Sequence, residues 1–293
     1  MAGGVGGHHG RVIRFAKGHG TGNDFVIVDD ADNARPLTPH QIAALCDRRT
    51  GIGGDGLLRV VRAAKHPDGV GQAGEAEWFM DYYNADGSVA EMCGNGVRVF
   101  VAHLRAAGLV DDSVLPVATR AGMRTVVTEG AVHRVDMGPA RIGPAAVAEL
   151  DGVTHSGVAV SMGNPHLVCR VPDPDLLDLT RAPRVDPALF TDGVNVEFVA
   201  DVVGAKATGS GPEKHSGLSG RVGHIRMRVH ERGVGETLSC GTGACATAAV
   251  ALGGPGVCEV DVPGGRLTVT VTDTTTLLAG PAVLVATGET DLV

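Results

Sequence analysis

The chain is organised around two stretches, Ser239-Cys240-Gly241-Thr242-Gly243 and Met92-Cys93-Gly94-Asn95-Gly96. Each is a Cys-Gly-X-Gly motif followed by an apolar run rich in Ala or Val. Runs that are apolar on most faces predict buried helices, and Gly108 and Gly253 are placed to end them. Each cysteine is therefore expected at, or just before, the first turn of a buried helix.

A helix start is a favourable place for a reactive thiol. Its unpaired N–H groups and the positive end of the helix dipole favour a thiolate over a thiol. The glycines let backbone approach a ligand closely, so the same N–H groups can hold a carboxylate or phosphate. We therefore expect lowered pKa values for Cys93 and Cys240, and an anion-binding position beside each.

The surroundings of the two cysteines match as if the chain were duplicated. In each half a polar residue lies nine positions before the cysteine, after a strand-like run. Farther upstream, Asn23 precedes Cys93 by 70 residues and Asn164 precedes Cys240 by 76, each within a Gly-Asn pair. These intervals predict two similar units with one thiol each.

The coarse pattern predicts an α+β fold with two pseudo-symmetric lobes, each a mostly antiparallel, barrel-like sheet around a buried central helix. Alternating apolar and polar residues after the first helix are typical of antiparallel strands. Met137-Gly138-Pro139 is the expected boundary between the lobes. Residues 1–10, rich in Gly and His, are expected to form a disordered N-terminal tail.

Composition limits the classes of partner and compartment. The 293 residues carry a formal charge of −8 without long runs of like charge, so we expect neither nucleic acid nor a membrane as partner. The chain has six cysteines without a CxxC pair, so no metal site is predicted. With no signal-peptide pattern, the expected location is the cytoplasm, where the thiols stay reduced.

Two thiols on matching helices suggest a particular chemistry. If one is a thiolate and the other a thiol, the first can take a proton from a substrate carbon while the second gives one to the opposite face. This inverts a stereocentre without a cofactor, and the helix starts would stabilise charge that spreads into the substrate's carboxylate. The two sulfurs should then titrate as a coupled pair.

The motifs resemble those of the diaminopimelate epimerases, pyridoxal-independent isomerases that interconvert LL- and meso-diaminopimelate for lysine and cell-wall synthesis. The resemblance keeps the family's order over most of the chain. It runs through Gly20-Thr21-Gly22-Asn23-Asp24-Phe25, residues 48–55, Asn84-Ala85-Asp86-Gly87-Ser88, residues 92–98, Ser161-Met162-Gly163-Asn164-Pro165-His166, Val194-Asn195 and residues 231–243.

The resemblance implies roles for individual residues. Cys93 and Cys240 would be the acid/base pair, and His166 and Glu231 would lie near the thiols and influence which one is ionised. Amides and one Arg suit the ammonium and carboxylate at the far end of the substrate. The implied substrate-binding residues, some acting through backbone N–H groups, are Asn23, Asn84, Gly94, Asn95, Asn164, Asn195, Glu231, Arg232, Gly241 and Thr242.

The resemblance also implies a site between the lobes and a last strand, from about Pro281, that returns to the first lobe. The first lobe would then contain residues 11–137 and 281–293 and carry Cys93. The second would contain residues 138–280 and carry Cys240. The family further implies a homodimer, diaminopimelate as the small-molecule partner and no cofactor.

Two positions depart from the family pattern. Members often carry Gln after the Gly-Asp turn, where this chain has Gly56, so a polar or packing group near the site is missing or supplied elsewhere. Residues 204–220 look like an insertion relative to shorter members. Asp55 is expected to stabilise its turn rather than to act in catalysis.

Two other functions remain open at the level of sequence. One is a proline-racemase-like isomerase of the same architecture, against which Asn84, Asn195 and Arg232 argue because a small monocarboxylate has no distal group for them. The other is a binding or redox-sensing protein in which Cys93 and Cys240 form a disulfide. The remaining cysteines are expected to pack in the core: Cys46, Cys169, Cys245 and Cys258.

Overall fold

The computed structural model describes residues 12–202 and 221–292. The predicted tail at residues 1–10 and the predicted insertion at residues 204–220 lie outside the described residues. Within the described ranges there are three α-helices: Pro39–Cys46 (α1), Gly94–Ala106 (α2) and Gly241–Leu252 (α3).

Eighteen strands surround these helices in the described part of the chain. They are Ile13–Gly20 (β1), Asn23–Asp29 (β2), Gly56–Arg62 (β3), Trp78–Asn84 (β4), Val114–Ala118 (β5), Arg124–Glu129 (β6), Val132–Gly138 (β7), Arg141–Leu150 (β8), Val153–Ser161 (β9), Pro165–Arg170 (β10), Arg184–Val185 (β11), Asn195–Asp201 (β12), Arg221–Glu231 (β13), Gly235–Thr237 (β14), Gly256–Val262 (β15), Gly265–Val271 (β16), Thr276–Pro281 (β17) and Val283–Thr290 (β18).

The strand pairings repeat along the chain in the same order and sense. In the first half β1–β2 is antiparallel, β2–β3 parallel, β3–β4 antiparallel, β4–β5 parallel, and β5–β6 and β6–β7 antiparallel. The second half repeats this sequence through β9–β10, β10–β12, β12–β13, β13–β15, β15–β16 and β16–β17. The fold is therefore α+β with two pseudo-symmetric lobes, as predicted.

The last strand of each half pairs with the first strand of the other unit. β8 follows β7 but pairs with β9, and β18 follows β17 but pairs with β1. β7 and β17 also pair with each other, which joins the two sheets. On this basis we propose lobes of residues 11–137 with 281–293 and of residues 138–280.

The largest of four apolar core clusters contains residues of both long helices. Val97 and Phe100 of α2 and Ala244 and Cys245 of α3 are completely buried in it. Because α3 is built mainly from Ala and Gly, strands can pack closely around it, which compensates for the scarcity of aromatic residues. The prediction that Cys245 is a core residue is confirmed.

Helix α1 shows how local sequence sets an element's bounds. Thr38 and Gln41 form a capping box, and Pro39 occupies the first helical position. The helix ends at Cys46 because Asp47 turns the chain. Its Oδ1 accepts hydrogen bonds from the N–H groups of Arg49 at 2.8 Å and Thr50 at 2.6 Å.

Candidate active site

Cys93 and Cys240 cap α2 and α3 in the same way. Both have extended backbone, with φ/ψ of −138°/122° for Cys93 and −121°/115° for Cys240. The Sγ atom of Cys93 accepts the N–H of Gly96, and that of Cys240 accepts the N–H of Gly243, each at 3.4 Å. The predicted placement of both thiols at helix starts is confirmed, and both cysteines are free thiols.

Their acidity differs from the sequence-based expectation. Burial raises the pKa of Cys93 to about 11, although the N–H groups of Gly96 and Asn95 act in the opposite direction. Burial, reinforced by the charges of Glu231 and Glu197, holds the pKa of Cys240 well above its usual range. The expectation of lowered pKa values is therefore wrong for the site by itself, because desolvation outweighs the helix start.

The two helix starts meet at the centre of the molecule. A Cβ atom added to Gly241 would lie 3.0 Å from Cδ2 of Leu278 and 3.5 Å from the backbone N of Asn95. A Cβ atom added to Gly94 would lie 3.1 Å from the same Leu278 atom and 2.8 Å from Cε of Met137. The glycines after the cysteines thus allow the helices to approach end to end, with Leu278 of β17 between them.

On the side of the first lobe, Asn23 contacts the Cys93 thiol. The thiol lies 3.6 Å from Oδ1 of Asn23, which also accepts from Nδ2 of Asn95 at 3.2 Å. Nδ2 of Asn23 in turn donates to Oδ2 of Asp55 at 2.8 Å. Asp55 therefore does more than stabilise its turn: it fixes which end of the Asn23 amide faces the thiol.

On the side of the second lobe, a chain of polar groups leads to Cys240. Oγ1 of Thr242 lies 3.5 Å from Sγ of Cys240 and accepts from Nδ2 of Asn164 at 3.3 Å. Oδ1 of Asn164 lies 3.1 Å from Nε2 of His166, which is fully buried. The structure thus brings three predicted site residues, Asn164, His166 and Thr242, to one thiol.

Glu231 influences both thiols. Its Oε1 accepts a hydrogen bond from the hydroxyl of Thr237 at 2.5 Å. Its charge opposes ionisation of Cys93 as well as of Cys240. Burial raises the pKa of Glu231 itself.

Three predicted substrate contacts lie away from the thiols' own hydrogen bonds. Oδ1 of Asn195 accepts the backbone N–H of Arg232 at 2.9 Å, and Nη1 of the exposed Arg232 donates to the carbonyl of Asp192 at 2.8 Å. The exposed Asn84 donates to Oγ of Ser88 at 3.0 Å. None of these three contacts joins them to Cys93 or Cys240.

The space beside Gly56, where the family often has Gln, is filled by an aromatic ring. A Cβ atom at Gly56 would lie 2.8 Å from Cε2 of Tyr82 and 2.5 Å from the carbonyl O of Tyr83. The hydroxyl of Tyr82 donates to Oδ1 of Asn84 at 3.3 Å. The Tyr82 ring and the Tyr83 carbonyl therefore occupy the space into which a side chain at position 56 would project.

Sequence reasoning missed Glu197. Its side chain is completely buried, and Oε1 lies 2.6 Å from Nδ1 of His166. A signal was present in the sequence: Glu197 is the acidic residue within the otherwise apolar run Val194-Asn195-Val196-Glu197-Phe198-Val199. An ionisable residue that interrupts a buried strand needs a partner, and here the partner is a predicted site residue.

The described residues contain neither a cluster of metal ligands nor a membrane-spanning helix. No group of three or more His, Cys, Asp or Glu side chains in residues 12–202 and 221–292 is arranged to hold a metal ion. Within the same ranges no helix has the length and apolar character needed to cross a membrane.

Comparison with known proteins adds sequence relatives. The sequence profile of the family described as "Diaminopimelate epimerase" matches residues 15–143 and 158–293. A diaminopimelate epimerase of Streptomyces coelicolor is 51% identical over 295 residues, which covers 95% of this chain and 96% of the relative. A diaminopimelate epimerase of Mycolicibacterium smegmatis is 48% identical over 302 residues, with 94% and 96% covered.

Solved structures share the fold at low sequence identity. A PhzF-family phenazine biosynthesis protein of Bacillus anthracis has a TM-score of 0.67 at 17% identity, with 96% of this chain and 99% of that one covered. A hydroxyproline epimerase of Agrobacterium vitis has a TM-score of 0.66 at 13% identity, with 96% and 93% covered. The two-lobed architecture is therefore shared with proteins of distant sequence.

Proposed function

The chain belongs to the diaminopimelate epimerase family of isomerases, and we propose that it interconverts LL- and meso-2,6-diaminopimelate with Cys93 and Cys240 as the two acid/base groups. The observation that carries the proposal is the matched capping of two facing helices by these thiols. The reaction needs no pyridoxal phosphate. It serves lysine and peptidoglycan precursor synthesis in the cytoplasm.

The proposed reaction moves one proton onto the enzyme and one proton off it. A thiolate takes the proton from the substrate's α-carbon, and the electron pair of the broken C–H bond spreads into the adjacent carboxylate. The other thiol then gives its proton to the opposite face of that carbon and becomes the thiolate. The substrate keeps its composition, its stereocentre is inverted, and the two sulfurs exchange roles.

The helix starts stabilise the intermediate in this scheme. Backbone N–H groups of Gly94, Asn95, Gly241 and Thr242 surround the position where the α-carboxylate would bind. Charge that develops on that carboxylate meets donors and helix dipoles already in place, so little reorganisation is needed. The glycines matter because a side chain at Gly94 or Gly241 would occupy the space between the helices.

A thiolate forms when the substrate binds and one thiol releases its proton to the surrounding water. Burial raises the pKa of both thiols, which favours their protonated forms in the site without substrate. The substrate's α-ammonium group brings a positive charge next to the sulfurs, which favours ionisation of one of them. Glu231 and His166 then influence which thiol loses its proton.

The remaining polar residues recognise the far end of the substrate. Asn23, Asn84, Asn164 and Asn195 offer amide donors and acceptors, and the exposed Arg232 offers a guanidinium for a carboxylate. Proline and its hydroxylated derivatives have no such distal group. We propose a homodimer from the family resemblance alone. Light scattering, which gives the mass of the particle in solution, tests this.

Exchange in heavy water tests the proposal. The reduced protein is incubated with LL-diaminopimelate in D₂O without added cofactor, and Cα–H loss and stereochemistry are followed together. We expect deuterium at one α-carbon together with the meso isomer. Exchange on proline or trans-4-hydroxy-L-proline, and not on diaminopimelate, would show that the proposed substrate is wrong. Absence of exchange on every amino acid would favour the binding or redox function.

Three cysteine variants sharpen the test. Cys93→Ser and Cys240→Ser should each abolish net epimerisation, because each face of the carbon needs its own thiol. Cys245→Ala, in the same helix as the Cys240 cap but inside the core, should remain active. Full turnover by either serine variant would rule out the two-thiol scheme.

A further inference from the structure

A buried carboxyl group lies against the helix turn that Cys240 caps. A Cβ atom added to Gly243 would lie 2.6 Å from Oε1 of Glu197 and 3.3 Å from Sγ of Cys240. Both atoms border the same point, so they are within about 6 Å of each other. At that separation a carboxylate acts directly on the ionisation of a thiol.

Glu197 is held in this position by His166. Its Oε1 lies 2.6 Å from Nδ1 of His166, and both side chains are completely buried. Nε2 of the same ring lies 3.1 Å from Oδ1 of Asn164, so Glu197 and Asn164 hold the imidazole from its two nitrogen atoms.

One oxygen of the Glu197 carboxyl group has no visible partner. Oε2 of Glu197 is buried and makes no hydrogen bond to any atom of the described residues. A buried carboxyl oxygen without a partner is costly, which argues that this residue is kept for its effect on the site rather than for stability. Burial raises the pKa of Glu197, while the hydrogen bond and charge of His166 act to lower it.

The two thiols therefore have unequal surroundings. The charged or titratable groups that act on Cys240 are Glu231 from β13 and Glu197 from β12, with His166 of β10 behind Asn164. Cys93 shares the influence of Glu231 and also lies near the cation Arg98 of α2, while Asp55 reaches it only through the Asn23 amide and is itself paired with Arg48. One thiol thus faces two acidic groups and the other faces an acidic group and a cation.

We infer that Glu197 is a positioning residue that makes the two thiols inequivalent: it orients His166 and keeps an acidic group beside Cys240 but not beside Cys93. Cys240 then retains its proton more firmly than Cys93 does in the site without substrate. This inference builds on the proposed function, because a difference between the two thiols bears on catalysis only in a two-thiol reaction.

Competitive alkylation tests the inequality without relying on turnover. Iodoacetamide is applied at pH 8, and modification of Cys93 and Cys240 is followed in the same molecules by mass spectrometry. In Glu197→Gln we expect the Cys240-to-Cys93 rate ratio to rise about tenfold, because removal of a nearby like charge shifts a thiol by about one pH unit. The exposed Glu289, paired with Arg14 on the surface, gives the matched control Glu289→Gln, which should leave the ratio unchanged.

A second reagent distinguishes the loss of the Glu197 charge from a loosening of the packing around the thiols. N-ethylmaleimide is larger than iodoacetamide, so a loosened site would favour it disproportionately, whereas a charge effect raises both rates by the same factor. An unchanged ratio in Glu197→Gln, or a gain with the larger reagent only, would overturn the inference. A wild-type protein that fails to epimerise diaminopimelate, while the Cys240-to-Cys93 rate ratio still rises in Glu197→Gln, is a further outcome. That result would contradict the proposed function and support the difference between the two thiols.

The wild-type protein provides a test that does not depend on folding of the variant. Iodoacetate is an anion of nearly the same size as iodoacetamide. The carboxylate of Glu197 beside Cys240 should repel it, so the iodoacetate-to-iodoacetamide rate ratio should be lower at Cys240 than at Cys93. Equal ratios at the two thiols would contradict the assignment of Glu197.

Discussion

Nδ2 of Asn95 donates to the backbone carbonyl of Ser239 at 3.2 Å, a bond between residues 144 positions apart. Asn95 lies two residues after the Cys93 cap, and Ser239 lies one residue before the Cys240 cap. The same amide group reaches Oγ of Ser239 at 3.3 Å. This bond therefore sets the relative position of the two thiols more directly than any other described contact between the helix starts.

Asn95→Ala should separate the helix starts. Asn95 is completely buried, and its Oδ1 also accepts from Nη2 of Arg98 at 2.8 Å, so the substitution leaves a buried carbonyl and a buried guanidinium short of a partner. We expect a loss of about 1–3 kcal/mol in the free energy of unfolding. Epimerase activity should fall by a larger factor than the fraction of folded protein. Steady-state kinetics measures the activity, and urea unfolding measures the stability.

Ser239→Ala is the matched variant for this contact. It removes only the hydroxyl and keeps the carbonyl that Asn95 binds, so its effect on activity should be smaller than that of Asn95→Ala. Equal losses in the two variants would show that the hydroxyl, which also lies 2.7 Å from Oγ1 of Thr21, is the important group.

The sequence predicts the two helix starts and the duplication because these depend on local patterns. A Cys-Gly-X-Gly motif before an apolar run predicts a helix that begins at the motif, and repeated spacing indicates repeated structure. The thiol pKa values could not be predicted this way. They depend on how completely the other lobe buries each sulfur and on Glu197, whose contact with His166 becomes visible only when β10 and β12 pair.

Gly56→Ala should destabilise the first lobe. The added methyl group would lie 2.5 Å from the carbonyl O of Tyr83 and 2.8 Å from the ring of Tyr82, so strands must shift. We expect a cost of about 1–3 kcal/mol, typical of overpacking. Gly71→Ala is the control, since nothing lies within 4 Å of a Cβ atom there. Thermal unfolding of both variants compares them, and equal stability would contradict the crowding at Gly56.

Asp24 should contribute stability that depends on pH. Burial tends to raise its pKa, but hydrogen bonds from Arg48 and Lys17 outweigh this and hold it at about 2, below the model-compound value of 3.8. A depressed pKa stabilises the folded state above pH 3.8 and loses that effect as pH falls towards 2. Asp24→Asn should therefore cost about 2 kcal/mol at pH 7 and progressively less at pH 4 and pH 3.

Urea unfolding at these three pH values measures the difference between wild type and Asp24→Asn. Asp112→Asn is the control, because Asp112 is exposed and its side chain has no ion pair among the described residues. A difference that stays constant from pH 7 to pH 3 would mean that packing, and not the charge of Asp24, is what the substitution removes.

The Cys93 thiol should react as a weak acid. With a pKa of about 11, its thiolate fraction rises about tenfold for each pH unit between pH 7.5 and pH 9.5. Iodoacetamide modification of Cys93, followed by mass spectrometry, should rise by the same factor without reaching a plateau. The control is the same chain unfolded in urea, where an ordinary thiol with a pKa of about 8.5 begins to level off within this range. A plateau below pH 9 in the folded protein would mean that the helix start, and not burial, governs this sulfur, and that a thiolate is already present before substrate binds.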